Sequence, residues 1–301
     1  MSRSVSAIFG KRPLILDLDD SVLALGADET RIPLSQWQEA IRFGCSWSDF
    51  ARLEKHLDLV LPDDYSCVFT GSGDFHHLTL FLLRRALRRD KFAGPVDLIV
   101  CDNHPDNMRY PFGLHCGSWV SHAAALEEVR HVHVIGICSR DITLAHAWEN
   151  RLAPFICRKL TYWSMNARAG WLKCIGRGDY CRVFSEADAL IEAFLPILNA
   201  AGGVYLSIDK DVLGPDEVKT NWDQGVFSAT HLRALITECR DAIVGADICG
   251  DVSEYAYASR FKRFLSRLDG RQNSLTPEQV RLWQAEQQNM NVMLFELLGK
   301  G

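Results

Sequence analysis

VDLIVCDNHPDNM (residues 96–108) joins a strand-like apolar run to Asp102, His104 and Asp106, three ligand-type side chains at alternate positions. A near-continuous apolar run, rather than strict alternation, marks a strand covered on both faces, which is the pattern of parallel sheets. Working outward, comparable runs occur at Leu14–Leu18, Cys67–Thr70, His131–Ile137, Pro154–Leu160, Cys181–Phe184, Val204–Ile208 and Ala242–Ile248. Helical patterns lie between or after them, at Phe75–Arg89, Ser185–Leu198 and Pro277–Leu298. Such alternation, with no Gly/Pro/Ser linker and no repeat, predicts a single α/β domain over 1–301. Its expected form is a doubly wound, three-layer arrangement with a mainly parallel sheet and a C-terminal helical segment at 275–301. In sheets of this kind ligands bind at the carboxyl ends of the strands, where the unusual residues of this chain fall.

Composition narrows the function classes. The 301 residues are 48% hydrophobic and carry a formal charge of -5, so there is no global positive field to hold nucleic acid or an acidic membrane surface. The ten cysteines include no CxxC pair, which argues against a zinc ribbon or a thioredoxin-like motif. No apolar run reaches the length of about 20 residues that a membrane span needs, and the N-terminal stretch lacks a signal-peptide pattern. The expectation is a cytoplasmic protein with no nucleic-acid or membrane partner.

Two further clusters accompany the first. GGVYLSIDKDVLGPDE (202–217) ends a strand run in Asp209 and Asp211, with Lys210 between them. Like charges paired at the mouth of a sheet are costly, and a cation is the usual remedy. VFTGSGDFHHLTL (68–80) places His76 and His77 just after a glycine-rich turn at a helix start. Each cluster alone fits a polar loop. Together they put Asp and His at three strand ends, which points to a metal centre.

GSGDFHH, DNHPD and SIDKDVLGP resemble the ureohydrolase (arginase and agmatinase) motifs GGDHS, DAHxD and SxDVDxxDP, in the same order, over residues 71 to about 250. GVFS (225–228) and GADIC (245–249) are similar to that family's GGLT and GLDIM. The resemblance implies two Mn2+ ions held by His76, Asp102, His104, Asp106, Asp209 and Asp211. It implies hydrolysis of a guanidino group to urea and an amine, with Asp106 and His115 of GLHCGSW (113–119) as catalytic groups and a homo-oligomeric assembly. Oxygen-rich ligation with two imidazoles suits Mn(II) chemically.

Departures from the family pattern matter for the substrate. Phe75 separates Asp74 from two histidines, so His76 or His77 is the ligand; His76 is the expected one, with His77 behind it or facing substrate. The family glutamate that grips the guanidinium falls on Gly250, which leaves Asp251 or Glu254 to replace it. The loops at 107–120 and 217–225 offer Tyr110, Trp119, Trp222 and Asp223, and Asp19 with its neighbours is expected to add an acidic rim. Aromatic and acidic rims suit an extended ligand, and the resemblance is greatest to peptide arginases, which convert peptidyl-arginine to peptidyl-ornithine. The expected partner is therefore a guanidino substrate within a peptide. The alternatives are a free guanidino compound, or a single-zinc deacetylase on the related fold, to which the His76-His77 pair is similar. A phosphatase reading of LILDLDDSVL (14–23), similar to the haloacid-dehalogenase nucleophile strand, lacks the downstream partners that such a site needs.

Overall fold

Val96–Cys101 is buried along its whole length and pairs in parallel on both sides. The computed structural model describes residues 12–26, 28–88, 94–199, 202–260, 262–264 and 275–299. Within them the sheet strands are β1 (Leu14–Asp17), β2 (Thr30–Pro33), β3 (Val68–Phe69), β4 (Val96–Cys101), β5 (Val129–Ile137), β6 (Leu160–Met165), β7 (Cys181–Phe184), β8 (Val204–Asp209) and β9 (Ile243–Cys249). They form one nine-stranded sheet in the order β2-β1-β3-β9-β8-β4-β5-β6-β7, with every pairing parallel.

Period-two geometry divides each strand between two cores. Leu98 and Val100 of β4 join Leu14 and Leu16 in one apolar cluster. Ile99 and Cys101 join Leu206 and Ile208 of β8 in the other. The first is covered by α1 (Trp47–Val60) through Phe50, Leu53 and Leu57, and by α2 (Thr79–Leu87). The second is covered by α3 (Ala187–Asn199), α4 (Ala229–Cys239) and α5 (Pro277–Gly299). Covering on both faces explains why the strand runs are apolar throughout rather than alternating. No helix among the described residues is long and apolar enough to cross a membrane.

Chain caps set the helix starts. Ser46 accepts from the Asp49 amide at 3.1 Å to begin α1, filling one of the orphan donors of the first turn. Two expectations shift. Pro154–Leu160 is not a strand: Ala153–Ile156 forms a single helical turn with Pro154 in its first turn, where proline's missing N–H costs nothing. The strand begins at Leu160. The helix expected from Phe75 starts instead at Thr79, because Gly73–Leu78 winds more tightly as a 3₁₀ segment. Its expected last residue, Arg89, lies outside the described residues, as do Lys300 and Gly301 of the C-terminal segment.

α5 docks through amides as well as apolar contacts. Gln284 donates to the Val252 carbonyl at 2.9 Å, and Gln287 to Lys219 and Gly250 carbonyls at 2.7 and 2.8 Å. Asn291 donates to Asp251 and accepts from Lys210 Nζ, at 2.8 and 2.6 Å. These amides fall three to four residues apart, on one helix face.

Candidate metal centre

β4 and β8 are neighbours, with Ile208 opposite Cys101, so Asp209 at the end of β8 stands beside Asp102 just past the end of β4. The residues after β4 do not continue as a strand. Asp102 Oδ1 accepts from the His104 amide at 2.6 Å, and Asp106 takes a left-handed backbone, φ 46°, which is strained for a residue with a Cβ. The three side chains therefore converge through a coiled loop rather than by strand periodicity. The strain is held by a 2.6 Å hydrogen bond from the Trp119 indole to Asp106. Past β8, Asp209 Oδ1 accepts from the Asp211 amide at 3.0 Å, closing a turn that aims both carboxylates inward.

His76 arrives from the 3₁₀ segment after β3. Its Nδ1 is 2.9 Å from Asp106, 3.2 Å from Asp102 and 3.7 Å from Asp209. Its Nε2 lies 3.0 Å from the Ser207 hydroxyl, which donates to Asp247 at 2.8 Å. Thr79 and Tyr205 also donate to Asp247. The ring is thus oriented from behind by a buried polar chain, as metal-binding imidazoles usually are. His104 Nδ1 is 2.9 Å from Asp211 and 3.5 Å from Asp102, while its Nε2 is 2.9 Å from Asp223. Among the described residues three candidate ligand groups result, His76-Asp102-Asp106, Asp102-His104-Asp211 and His76-Asp209-Cys249; the first two share Asp102, and the first and third share His76. Asp209 serves the first group and also accepts from the Cys249 thiol at 3.1 Å.

The electrostatics of this cluster call for a cation. Burial, then the Asp211 charge, pushes Asp209 up to about 7, and burial, then the Asp102 charge, lifts Asp211 to about 6. Burial alone would lower both ligand imidazoles. The carboxylates around them prevail and hold His76 and His104 well above their ordinary value. Carboxylates that borrow protons in this way make a candidate site for divalent cations, with Asp102 common to two of the groups.

The centre lies at the base of a cleft of about 660 Å³, whose walls include His115, Trp222, Asp223, Arg140, Asp141 and Glu149. His115 is buried beneath Phe43, ring centroids 4.3 Å apart. Its Nδ1 accepts from the Gly117 amide at 2.9 Å, which puts the ring proton on Nε2. Burial, then the Lys262 charge, drives its pKa down to about 3, so the ring is neutral.

Other expected residues fall elsewhere. His77 is fully buried, packs near Phe50 and does not line the cleft; one 3₁₀ step turns adjacent side chains about 120° apart, so only one of the pair faces the cleft. Asp251 is sealed inside, 2.7 Å from Lys210 Nζ. Glu254 accepts from the Leu275 amide outside the cleft. Asp19 is no rim acid: its side chain is 2% exposed, accepts from Ser253 and Ser21, and faces the buried Arg42. Trp119 is core, bonded to Asp106. Gly250 has φ 91°, and a Cβ there would sit 2.5 Å from Asp209 Oδ1 and 2.7 Å from the Lys210 amide. No side chain fits at that position without moving a ligand.

Sequence reasoning missed Ser207 and Asp247, although polar residues inside the runs VYLSID and IVGADIC were the available signal. It also missed Arg42, which is fully buried and holds Asp74 at 2.6 Å behind the His76 turn.

Solved structures share this architecture end to end. Arginase from Medicago truncatula superposes with a TM-score of 0.55 at 16% identity, covering 97% of this chain and 87% of its own. Arginase from Bacillus subtilis gives 0.54 at 15%, covering 97% and 99%. The fold is that of the arginases. Proclavaminate amidino hydrolase from Streptomyces clavuligerus has the same arginase fold, at 0.53 and 14% identity over 97% of this chain and 92% of that one. A Thermotoga maritima protein, described only as uncharacterized, is 30% identical over 196 residues, 65% of this chain and 62% of its own length. No family model matches the chain.

Proposed function

We propose that the chain is a manganese-dependent hydrolase of guanidino C–N bonds, acting on arginine residues in peptides and leaving ornithine residues and urea. The observation that carries this reading is the pair of ligand groups joined at Asp102, at the base of the cleft that His115 lines. His76, Asp102, Asp106 and Asp209 would hold one ion, and Asp102, His104 and Asp211 the other. When bound, such a pair supplies Lewis-acid chemistry and makes water acidic enough to react at neutral pH.

This chain's own groups do the rest. Hydrolysis breaks the bond between the guanidino carbon and the substrate's amine nitrogen, and that nitrogen must gain a proton as it leaves. The attacking water releases one proton, which Asp106 would take up and pass to that nitrogen, while neutral His115 would steady the nitrogen with a hydrogen bond from Nε2–H, so every group returns to its starting state. Asp223 and the Ser207–Asp247 chain fix the two ligand imidazoles. Exposed Leu144 and Trp148 lie on the segment that supplies His146 and Glu149 to the cleft wall, and favour a substrate longer than a free amino acid.

Urea release with added Mn2+ from free arginine, agmatine and an arginine-containing peptide tests this directly, together with a peptide mass loss of one CH₂N₂ unit. The expected order places the peptide first. Faster turnover of a free guanidino compound removes the peptide assignment, and absence of urea from every substrate removes the reaction.

A further inference from the structure

A guanidinium brought beside two cations is repelled by them and needs a carboxylate within hydrogen-bond reach. Gly250 has no room for a side chain, Asp251 is committed to Lys210, and Glu254 lies outside the cleft. Apart from the ligand set, the cleft acids are Asp141, Glu149 and Asp223. Glu149 pairs with His146 at 3.1 Å. Among the described residues no hydrogen bond ties Asp141 or Glu149 to a ligand side chain.

Asp223 is placed differently. Its Oδ1 is 2.9 Å from His104 Nε2 and its Oδ2 3.1 Å from the Asn103 amide nitrogen, so two bonds fix the carboxylate next to the metal centre. The side chain is nonetheless 69% exposed, and each carboxylate oxygen keeps a further lone pair for a second donor. Trp222 precedes it on the same wall. A Cβ at Gly73 would lie 3.3 Å from Trp222 Cδ1 and 2.8 Å from Asp209 Oδ2, so the glycine keeps the space between the indole and that ligand clear. Phe43 stacks behind the indole, planes 3° apart. A flat aromatic face beside a fixed carboxylate is complementary to a planar, delocalised cation. Ammonium groups lack the planar fork.

We infer that Asp223, with the Trp222 ring as its stacking face, grips the substrate guanidinium; the assignment rests on the guanidino-hydrolase reading above. Asp223→Asn separates this role from orientation of His104, because the amide oxygen still accepts from Nε2 while the charge is gone. The test is a calorimetric titration of Mn-loaded protein with an arginine-containing peptide, in a His115→Asn background that suppresses turnover, with bound metal counted in parallel. Asp223→Asn is expected to weaken binding about 10- to 100-fold, the worth of a hydrogen bond to a charged group, with metal content unchanged. KM in the chain with native His115 gives the same comparison should the double variant not fold. Undiminished affinity in Asp223→Asn, or a comparable loss only in Asp141→Asn, overturns the assignment and leaves the hydrolase reading standing. A parent protein that binds no guanidino compound overturns both.

Discussion

Lys210→Met isolates the ion pair that sits between the two strand-end acids. Lys210 and Asp251 are both completely buried, 2.7 Å apart, and Asn291 bridges them. Methionine keeps most of the stem's volume and removes the charge. Asp251 would then retain one donor, Asn291, on Oδ1, while Oδ2 already has no hydrogen-bond partner. Removing one member of a buried pair costs about 3–5 kcal/mol, because the other charge stays desolvated and unpaired. Since Lys210 separates Asp209 from Asp211, relaxation of the turn also disturbs two ligands. The assay is urea unfolding with chelator present, so that metal affinity does not enter, followed by metal titration of the folded variant. A loss of about 3–5 kcal/mol is expected, and the double variant Lys210→Met/Asp251→Leu should recover part of it, since neither member of the pair is then left as an unpaired charge, although Asn291 loses both partners. A single-variant loss under about 1 kcal/mol, or a double variant no better than the single, would show that the buried charge is not what makes the site fragile.

Three further outcomes are expected. Asp102→Asn removes the carboxylate common to two of the ligand groups, so metal content by atomic emission should fall from two ions to one or none, and exhaustive chelation of the parent should abolish activity; retained activity after chelation refutes the metal role. His115→Asn should leave metal content unchanged and lower kcat about 10²–10⁴-fold; an unchanged kcat removes His115 from the chemistry. Acid sensitivity follows from histidines that fold neutral. His115 is pushed down to about 3 by burial and the Lys262 charge, and His122 to about 4 by burial and the Arg151 charge. The unfolded chain takes up a proton at each near 6.5, so between that value and the folded ones the unfolded state binds more protons and stability falls as pH falls. Replacing both by Asn should flatten the melting temperature between pH 6.5 and pH 4, and an unaltered slope contradicts the assignment.

What could be read in advance follows the range of the interactions. The buried strands were legible because each residue's two-faced burial shows in its own apolar character, as in Val96–Cys101. The clustering of the candidate ligands was legible because Asp102, His104 and Asp106, like Asp209 and Asp211, come from short local segments. Fates set by distant partners were not. Asp251 reads as an available carboxylate until Asn291 and Lys210 are seen closing on it, and Asp19 reads as a rim acid until Ser253, 234 positions away, covers it. Local geometry misled as well: Pro154 opens a helical turn inside a run that looked like a strand.

The amide face of α5 gives that helix a property that an apolar stripe lacks. Burial of apolar surface is non-directional, so a greasy helix can slide along its groove at little cost. Hydrogen bonds of 2.6–2.9 Å made by Gln284, Gln287 and Asn291, as donors or acceptors, tolerate no such travel. A displacement of one residue, about 1.5 Å along the axis, breaks them together. The helix therefore works as a gauge: it fixes the Gly250 carbonyl and the Lys210 ammonium relative to each other, beside the Asp209 and Asp211 carboxylates that flank Lys210 in the chain.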